Sequence, residues 1–270
     1  MNELGCSTLG FRFDPLEVAL VEIAEQGFRV IDLVMYPSYC PHFNSLTATD
    51  DERMALRRRL DELGLKVATI NATDGLLGRP DDRERAMAYA RASLRLAREL
   101  GAYGVTMQSG VEPGPGKWST VAQTAAADLR ELGALAQELG LELTLELHKT
   151  MLMATTREAL DLMALVDHPS VGVALDPSHL TYAGEDAATA ARQLGPHVKH
   201  VHLRDGIGEN IMVVPGDGTV DFTELARALR EIGYKRAVVI ELEYERAKSA
   251  VVRTDLARAK ACIERASAAA

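Results

Sequence analysis

The chain has little of several things. Only three of its 270 residues are cysteine: Cys6, Cys40 and Cys262. An odd number without metal-type spacing argues against a disulfide framework and a structural zinc, and for a reducing compartment. Positive charge is short as well, with 30 Lys and Arg against 39 Asp and Glu and a formal net charge of −9. A protein that grips a phosphate backbone needs a basic footprint, so no nucleic acid partner is expected. No apolar run approaches the ~18 residues needed to cross a bilayer. Residues 1–10 show no basic segment leading into an apolar stretch, so the expectation is a cytoplasmic protein without membrane contact. Also missing is a Gly-rich phosphate turn after the first candidate strand, where the chain reads Cys6-Ser7-Thr8-Leu9-Gly10. That absence argues against an open doubly wound sheet and favours a neutral substrate over a phosphorylated one.

What is present is a repeated unit. Hydrophobic residues make up 47 % and charged residues 26 %, the balance of a soluble globular protein. Amphipathic stretches close on Gly27, Gly64, Gly101, Gly140 and Gly233, each placed to give the left-handed turn that ends a helix. After each glycine comes a short β-rich run: Val30–Met35, 67–71, 105–108, 143–147 and 238–242. Val171–Leu175, 198–203 and a weaker 4–8 bring the count to about eight. Helix, glycine and strand in this rhythm indicate βα units around a parallel sheet. The length suits a (β/α)₈ TIM barrel of the α/β class, which needs ~250 residues. Residues 1–270 therefore read as a single domain, with a fraying helix end at 266–270.

Strand side chains alternate between two faces. In Leu143-Thr144-Leu145-Glu146-Leu147-His148 the leucines suit the helix-facing exterior, which leaves Thr144, Glu146 and His148 pointing inward. The same alternation turns Asp176 inward at the end of 171–176, with Pro177-Ser178-His179 following in a loop. It turns His200, His202 and Arg204 inward in 198–204, and Glu241 and Glu243 inward in 238–243. Catalytic groups of such barrels sit at the C-terminal ends of the strands. Singly, each residue has an ordinary reading: a solvated rim glutamate, a hydrogen-bonded interior imidazole for His148 or His200, an exposed rim charge for Glu243. Jointly, three buried carboxylates and an imidazole repel or go unpartnered unless a cation sits between them. An oxygen-rich set of this kind suits one divalent ion, Mn²⁺ first, with Mg²⁺, Co²⁺ or Zn²⁺ as alternatives.

At these strands the sequence resembles the sugar phosphate isomerase/epimerase family of the xylose isomerase-like TIM barrel superfamily. The matching pieces are Leu145-Glu146-Leu147-His148, Leu175-Asp176-Pro177-Ser178-His179, His200-Val201-His202-Leu203-Arg204-Asp205, the turn Pro215-Gly216-Asp217-Gly218 leading to Asp221, and Val239-Ile240-Glu241-Leu242. All lie in the second half of the chain; the first half matches only in βα rhythm. The resemblance implies that Glu146, Asp176, His202 and Glu241 ligate the metal and that Glu146 and Glu241 also exchange protons with substrate. It implies that His179 contacts substrate or a metal-bound oxygen and that Arg204 sits at the mouth, and it makes His148 a candidate substrate contact. The DNA-repair branch of the superfamily uses extra histidines that Thr69-Ile70-Asn71-Ala72 lacks.

The loop of residues 36–44 is rich in aromatics. With Trp118 it could wall or cover a sugar face, with His42 among the contacts; a packed surface loop is the equal alternative. The expected activity is a metal-dependent sugar isomerase or epimerase working through a metal-stabilised enediolate. The alternative is a lyase or dehydratase acting on an oxidised sugar, cyclitol or 3-keto-glycoside. The expected partner is a small-molecule carbohydrate, and homo-oligomerisation is left open.

Overall fold

The computed structural model describes residues 3–270, so Met1 and Asn2, part of the stretch read for a leader, lie outside it. The chain alternates β1 (Leu4–Ser7), α1 (Leu16–Glu25), β2 (Val30–Met35), α2 (Asp50–Leu63), β3 (Lys66–Ala72), α3 (Pro80–Leu100), β4 (Gly104–Gln108) and α4 (Trp118–Glu138). It continues with β5 (Glu142–Glu146), α5 (Thr156–Val166), β6 (Val171–Leu175), α6 (Pro177–Tyr182), α7 (Ala187–Leu194) and β7 (Val198–Leu203). A hairpin, β8 (Asp205–Ile207) and β9 (Asn210–Val213), precedes α8 (Phe222–Glu231), β10 (Val238–Ile240) and α9 (Ser249–Ala269). Eight parallel strands close a single barrel in the order β1-β10-β7-β6-β5-β4-β3-β2. The TIM barrel expectation holds, and the open-sheet alternative does not.

The local causes are those the sequence suggested. Gly27, Gly64, Gly101, Gly140 and Gly233 all have φ between +64° and +79°, a region that costs other residues a steric clash. Thr49 and Thr155 open α2 and α5 with reciprocal capping boxes to Glu52 and Glu158. Leu143, Leu145, Val171, Val173, Val201 and Ile240 are buried in the main core beneath the helices. Thr69, Thr106 and Thr144 face the barrel interior, where their hydroxyls meet at 2.8 Å (Thr106–Thr144) and 3.3 Å (Thr106–Thr69). That hydroxyl layer confirms the inward direction read for β5 and sets a polar floor below the mouth.

Three features differ from the sequence reading. Residues 177–179 form the start of α6 and not a loop, because Pro177 at the first helical position and Asp176 as N-cap begin the turn at once. The 205–213 hairpin was not anticipated. The Asp205 carboxylate, almost fully buried, accepts backbone N–H groups from Gly206, Gly216, Gly218 and Val220 at 2.8–3.0 Å, tying the following turn to the end of β7. A Cβ on Gly218 would fall 2.2 Å from Asp205 Oδ1, which is why a glycine stands there. The end of the chain stays helical through Ala269. The turn's expected role as helix entry holds, since Asp221 caps α8 through Glu224 N.

Candidate metal centre

Glu146 ends β5, Asp176 follows β6, His202 lies near the end of β7, and Glu241 follows β10. Each is buried, and one ligand atom from each lies within 4.8 Å of every other. The four residues thus converge at the C-terminal mouth of the barrel. His202 Nδ1 is 2.8 Å from Glu146 Oε1 and 3.6 Å from Glu241 Oε2. Ser7 of β1, which sequence reasoning passed over, donates to Glu241 Oε1 at 3.1 Å.

Asp176 shows how local structure frees a ligand atom. Its Oδ1 is engaged by Ser178 N at 2.8 Å and Ser178 Oγ at 2.7 Å as part of the helix cap. Its Oδ2 is buried with no hydrogen-bond partner, since Arg204 Nε at 3.2 Å and His179 Nε2 at 3.9 Å face it without hydrogen-bond geometry. A fully buried carboxylate oxygen left without a donor is costly, and a cation facing it removes the cost. Two further carboxylates and one imidazole beside that oxygen complete a donor set that fits a divalent ion.

Arg204 is at the mouth, where the resemblance put it. Its guanidinium turns into the cluster, with Nε 3.2 Å from Asp176 Oδ2, Nη2 2.5 Å from Glu241 Oε2 and Nη1 2.5 Å from Glu243 Oε2. Glu243 is therefore not an exposed rim charge. It is mostly buried, pairing with Arg204 and accepting from the Tyr39 hydroxyl. Arg12 stacks on the Tyr39 ring at 3.8 Å, so the 36–44 loop is tied to the centre through Glu243.

The two glutamates are pushed in opposite directions. Burial raises the pKa of Glu146, but the His202 hydrogen bond and charge, then His148 and His179, outweigh it and hold the carboxyl below the usual range. Glu241 is raised, by burial first; His202 and Arg204 oppose that, while the charges of Glu146 and Asp176 add to it.

His148 and His179 lie 3.9 Å apart between ring centroids, tilted by 41°, beside Glu146. His148 lines the cavity with its Nδ1 against Lys149 O at 2.6 Å. His179 is fully buried; its Nδ1 accepts from Lys149 N at 3.4 Å, and its Nε2 has no hydrogen-bond partner. Burial, then the neighbouring His148 and Arg204, hold the His179 pKa well below the usual imidazole value, so the ring is neutral. With Nδ1 accepting, its proton is on Nε2, which faces Asp176 Oδ2 at 3.9 Å; the ring itself does not line the cavity.

The cavity above the centre measures about 620 Å³ and is lined by Tyr36, Tyr39, Asn71 and Gln108 together with Glu146, His148, Arg204 and Glu241. Tyr36 donates to Asn71 Oδ1 at 2.5 Å. Half of the loop expectation is met, because Tyr36, Ser38 and Tyr39 form one wall. His42 and Phe43 line a separate cleft with Pro37 and Pro41. His42 is held by Thr8 Oγ1, Cys40 Sγ and Phe11 O at 3.2–3.3 Å. Trp118 lies outside the cavity too, donating its indole N–H to Leu152 O at 2.9 Å, since a half-buried indole must satisfy that donor.

Sequence reasoning also missed Asp32, which is fully buried within β2. Its Oδ2 lies 2.6 Å from His200 Nε2 and 3.3 Å from His202 Nε2, and its Oδ1 accepts Thr69 N at 3.1 Å. His200 is accordingly an interior hydrogen-bonded histidine, as its ordinary reading held. A single acid inside the apolar run Val30–Met35 was the available signal.

The profile of the xylose isomerase-like TIM barrel family matches residues 20–262, and the chain belongs to that family. Inosose dehydratase of Clostridium perfringens (strain 13 / Type A) is 33 % identical over 147 residues, 48 % of this chain and 48 % of that protein. Inosose dehydratase of Lacticaseibacillus casei is 30 % identical over 142 residues, 46 % and 48 % of the two chains. The chain spans about half the length of the curated relatives it matches. Among solved structures, a D-psicose 3-epimerase in the presence of D-fructose superposes with a TM-score of 0.82 at 20 % identity, covering 98 % of this chain and 99 % of that one. The 3-keto-D-glucoside 4-epimerase of E. coli gives 0.79 at 21 %, covering 97 % and 100 %. An IolI protein with a bound zinc atom gives 0.79 at 17 %, covering 97 % and 98 %. At such identities these structures show the fold alone. No helix among the described residues is long and apolar enough to cross a membrane.

Proposed function

We propose that the protein is a divalent-metal-dependent isomerase or epimerase of a sugar or keto-sugar. The observation that carries the reading is the pair Glu146 and Glu241. They come from strands across the barrel and bring carboxyl oxygens within 4.8 Å of one another beneath a 620 Å³ cavity. Glu146, Asp176, His202 and Glu241 would hold the ion, with Mn²⁺ favoured by the oxygen-rich donor set; the zinc bound by the IolI relative keeps Zn²⁺ in any test panel. When bound, a divalent ion supplies Lewis acidity that polarises a carbonyl and acidifies the neighbouring C–H.

The chain's own groups do the rest. Glu146 removes the proton from the carbon beside the carbonyl, and Glu241 returns one from the other side. Return to the opposite face of that carbon gives the epimer, and return to the adjacent carbon gives the aldose–ketose isomer. Asn71, Gln108 and Tyr36 offer hydrogen bonds to substrate hydroxyls while Tyr39 closes the wall. The substrate is taken as neutral, because Arg204, the cation nearest the centre, is already committed to three carboxylates.

A second reading is favoured by the likeness to inosose dehydratases. The same proton removal followed by departure of a β-hydroxyl, which leaves as water after taking a proton from Glu241, gives an unsaturated ketone. Candidate substrates are then keto-cyclitols or 3-keto-glycosides. Metal-reconstituted protein incubated with ketoses, inososes and 3-keto-glycosides in deuterated water, followed by NMR, tests both readings. Deuterium on the reacting carbon of an otherwise intact sugar supports epimerisation or isomerisation. Loss of water with new ultraviolet absorption supports elimination. Turnover that leaves the reacting carbon free of deuterium in a single turnover rules out exchange through the two glutamates.

A further inference from the structure

We propose that Asp32, backed by His200 and Tyr103, is the positioning carboxylate of His202, orienting that ring so that Nδ1 and not Nε2 serves as the metal ligand. The inference rests on the metal centre proposed above and adds to it the side chains of Asp32, His200 and Tyr103.

The argument starts from what a neutral imidazole can do. One ring nitrogen carries a proton and the other a lone pair, and the partner of the N–H decides which nitrogen is free to ligate. His202 Nδ1 faces Glu146 at 2.8 Å and Glu241 at 3.6 Å, inside the carboxylate cluster. Its Nε2 points the other way, to Asp32 Oδ2 at 3.3 Å. That contact is off the line of a full hydrogen bond, and Nε2 has no other partner, so Asp32 is the acceptor available to it.

Asp32 is itself held on the far side. Its Oδ1 takes Thr69 N at 3.1 Å, and its Oδ2 takes His200 Nε2 at 2.6 Å. His200 Nδ1 meets the Tyr103 hydroxyl at 2.6 Å; with the phenol donating, the His200 proton lies on Nε2 and is directed at Asp32. Tyr103 immediately precedes β4, at the N-terminal end of the barrel, where the Arg236 guanidinium lies 5.0 Å from its ring. Side chains from β2, β7 and the approach to β4 thus form one line of contacts from the lower end of the barrel to the centre, hydrogen-bonded from Tyr103 as far as Asp32. Asp32, His200 and His202 are all fully excluded from solvent, so water cannot replace a missing link. Partners of this kind fix ligand orientation and raise ligand basicity.

The test is Co²⁺ binding to metal-stripped full-length protein, followed by calorimetry and visible absorption, for wild type, Asp32→Asn and Tyr103→Phe. Asparagine keeps the shape of Asp32 but loses the charge and one acceptor oxygen. It should weaken Co²⁺ binding by about 10–100-fold and shift the visible band. Tyr103→Phe should weaken binding less, in the same direction. A folded Asp32→Asn protein with wild-type Co²⁺ affinity and an unchanged spectrum overturns the proposal, even if its thermal stability falls, since a merely structural contact would act that way. Should Asp32→Asn fail to fold, Tyr103→Phe decides, and unchanged affinity there overturns it. A wild-type protein that binds no Co²⁺ would instead remove the metal centre itself, a result distinct from unchanged variants.

Discussion

Strands β5 to β7 and the end of β10 deliver Glu146, Asp176, His202 and Glu241, each at the close of its own alternating run. Strands β1 to β4 share the same architecture but deliver none of the four. Their contributions are Ser7 to Glu241, Asp32 to His200 and His202, and the Tyr36–Asn71 pair on the cavity wall. The second half of the barrel supplies the groups that would react, and the first half orients them and shapes the space above. The difference teaches that ligands can be local features of single strands, whereas their partners are properties of the closed barrel.

The division is broken most directly by removing what the second half would hold. Chelation should abolish activity and Mn²⁺ should restore it. Asp176→Ala or His202→Ala should lower metal content by elemental analysis while circular dichroism stays that of a folded barrel, because both residues lie at the mouth and outside the helix-facing core. Full activity in demonstrably metal-free protein would contradict the whole scheme.

Next in size is the separation of ligation from proton transfer. Glutamine keeps an oxygen able to touch a metal but accepts no proton near neutral pH. Glu146→Gln and Glu241→Gln should keep part of the metal and still bind substrate, yet lose ~10²–10⁴-fold in kcat. Near-wild-type kcat in both variants would leave the carboxylates as ligands only.

The first half should show itself in selectivity. Tyr36→Ala and Tyr39→Ala, which alter the cavity wall, should change KM ratios between substrates by ~10–200-fold. His42→Ala and Trp118→Phe alter residues outside that cavity and should leave the ratios unchanged. The comparison fails if the two pairs of variants behave alike across a substrate panel.

The smallest effect concerns pH. Burial, opposed by the contacts with Phe11 and Asp14, depresses the pKa of His42 below that of a free imidazole. Above ~6.5, the unfolded value, the ring is neutral in both states and its contribution to stability is fully present. As the pH falls below that value toward the folded pKa, the unfolded chain takes up a proton that the folded one does not, and stability is lost. Melting temperatures measured from pH 7 to pH 5 should therefore fall less steeply for His42→Gln than for wild type. Parallel curves would show that the ring titrates freely in the folded loop.

Much of this was legible in the chain. The five glycine helix stops and the strands that follow them were read from short windows, as were the inward directions of Glu146, Asp176, His202 and Glu241. The boundaries were less so: β10 ends at Ile240, leaving Glu241 just beyond it, and residues 177–179 turn into α6 because Asp176 caps them. Trp118 and His42 were grouped with the cavity on chemical type alone, yet each side chain found a nearer partner, Leu152 O for one and Thr8 with Phe11 for the other. Arg204 was placed at the mouth correctly, but its direction depends on three carboxylates from neighbouring strands.

The sequence by itself determined the repeated βα unit and the inward direction of Glu146, Asp176, His202 and Glu241, because helix capping and strand alternation are consequences of local backbone geometry. Only the tertiary structure decided that Asp32 meets His200, 168 positions away, and that Ser7 reaches Glu241, 234 positions away. Those contacts exist because the sheet closes on itself and faces its strands across a common axis, and no property of a single strand records which residues that closure brings to the same height.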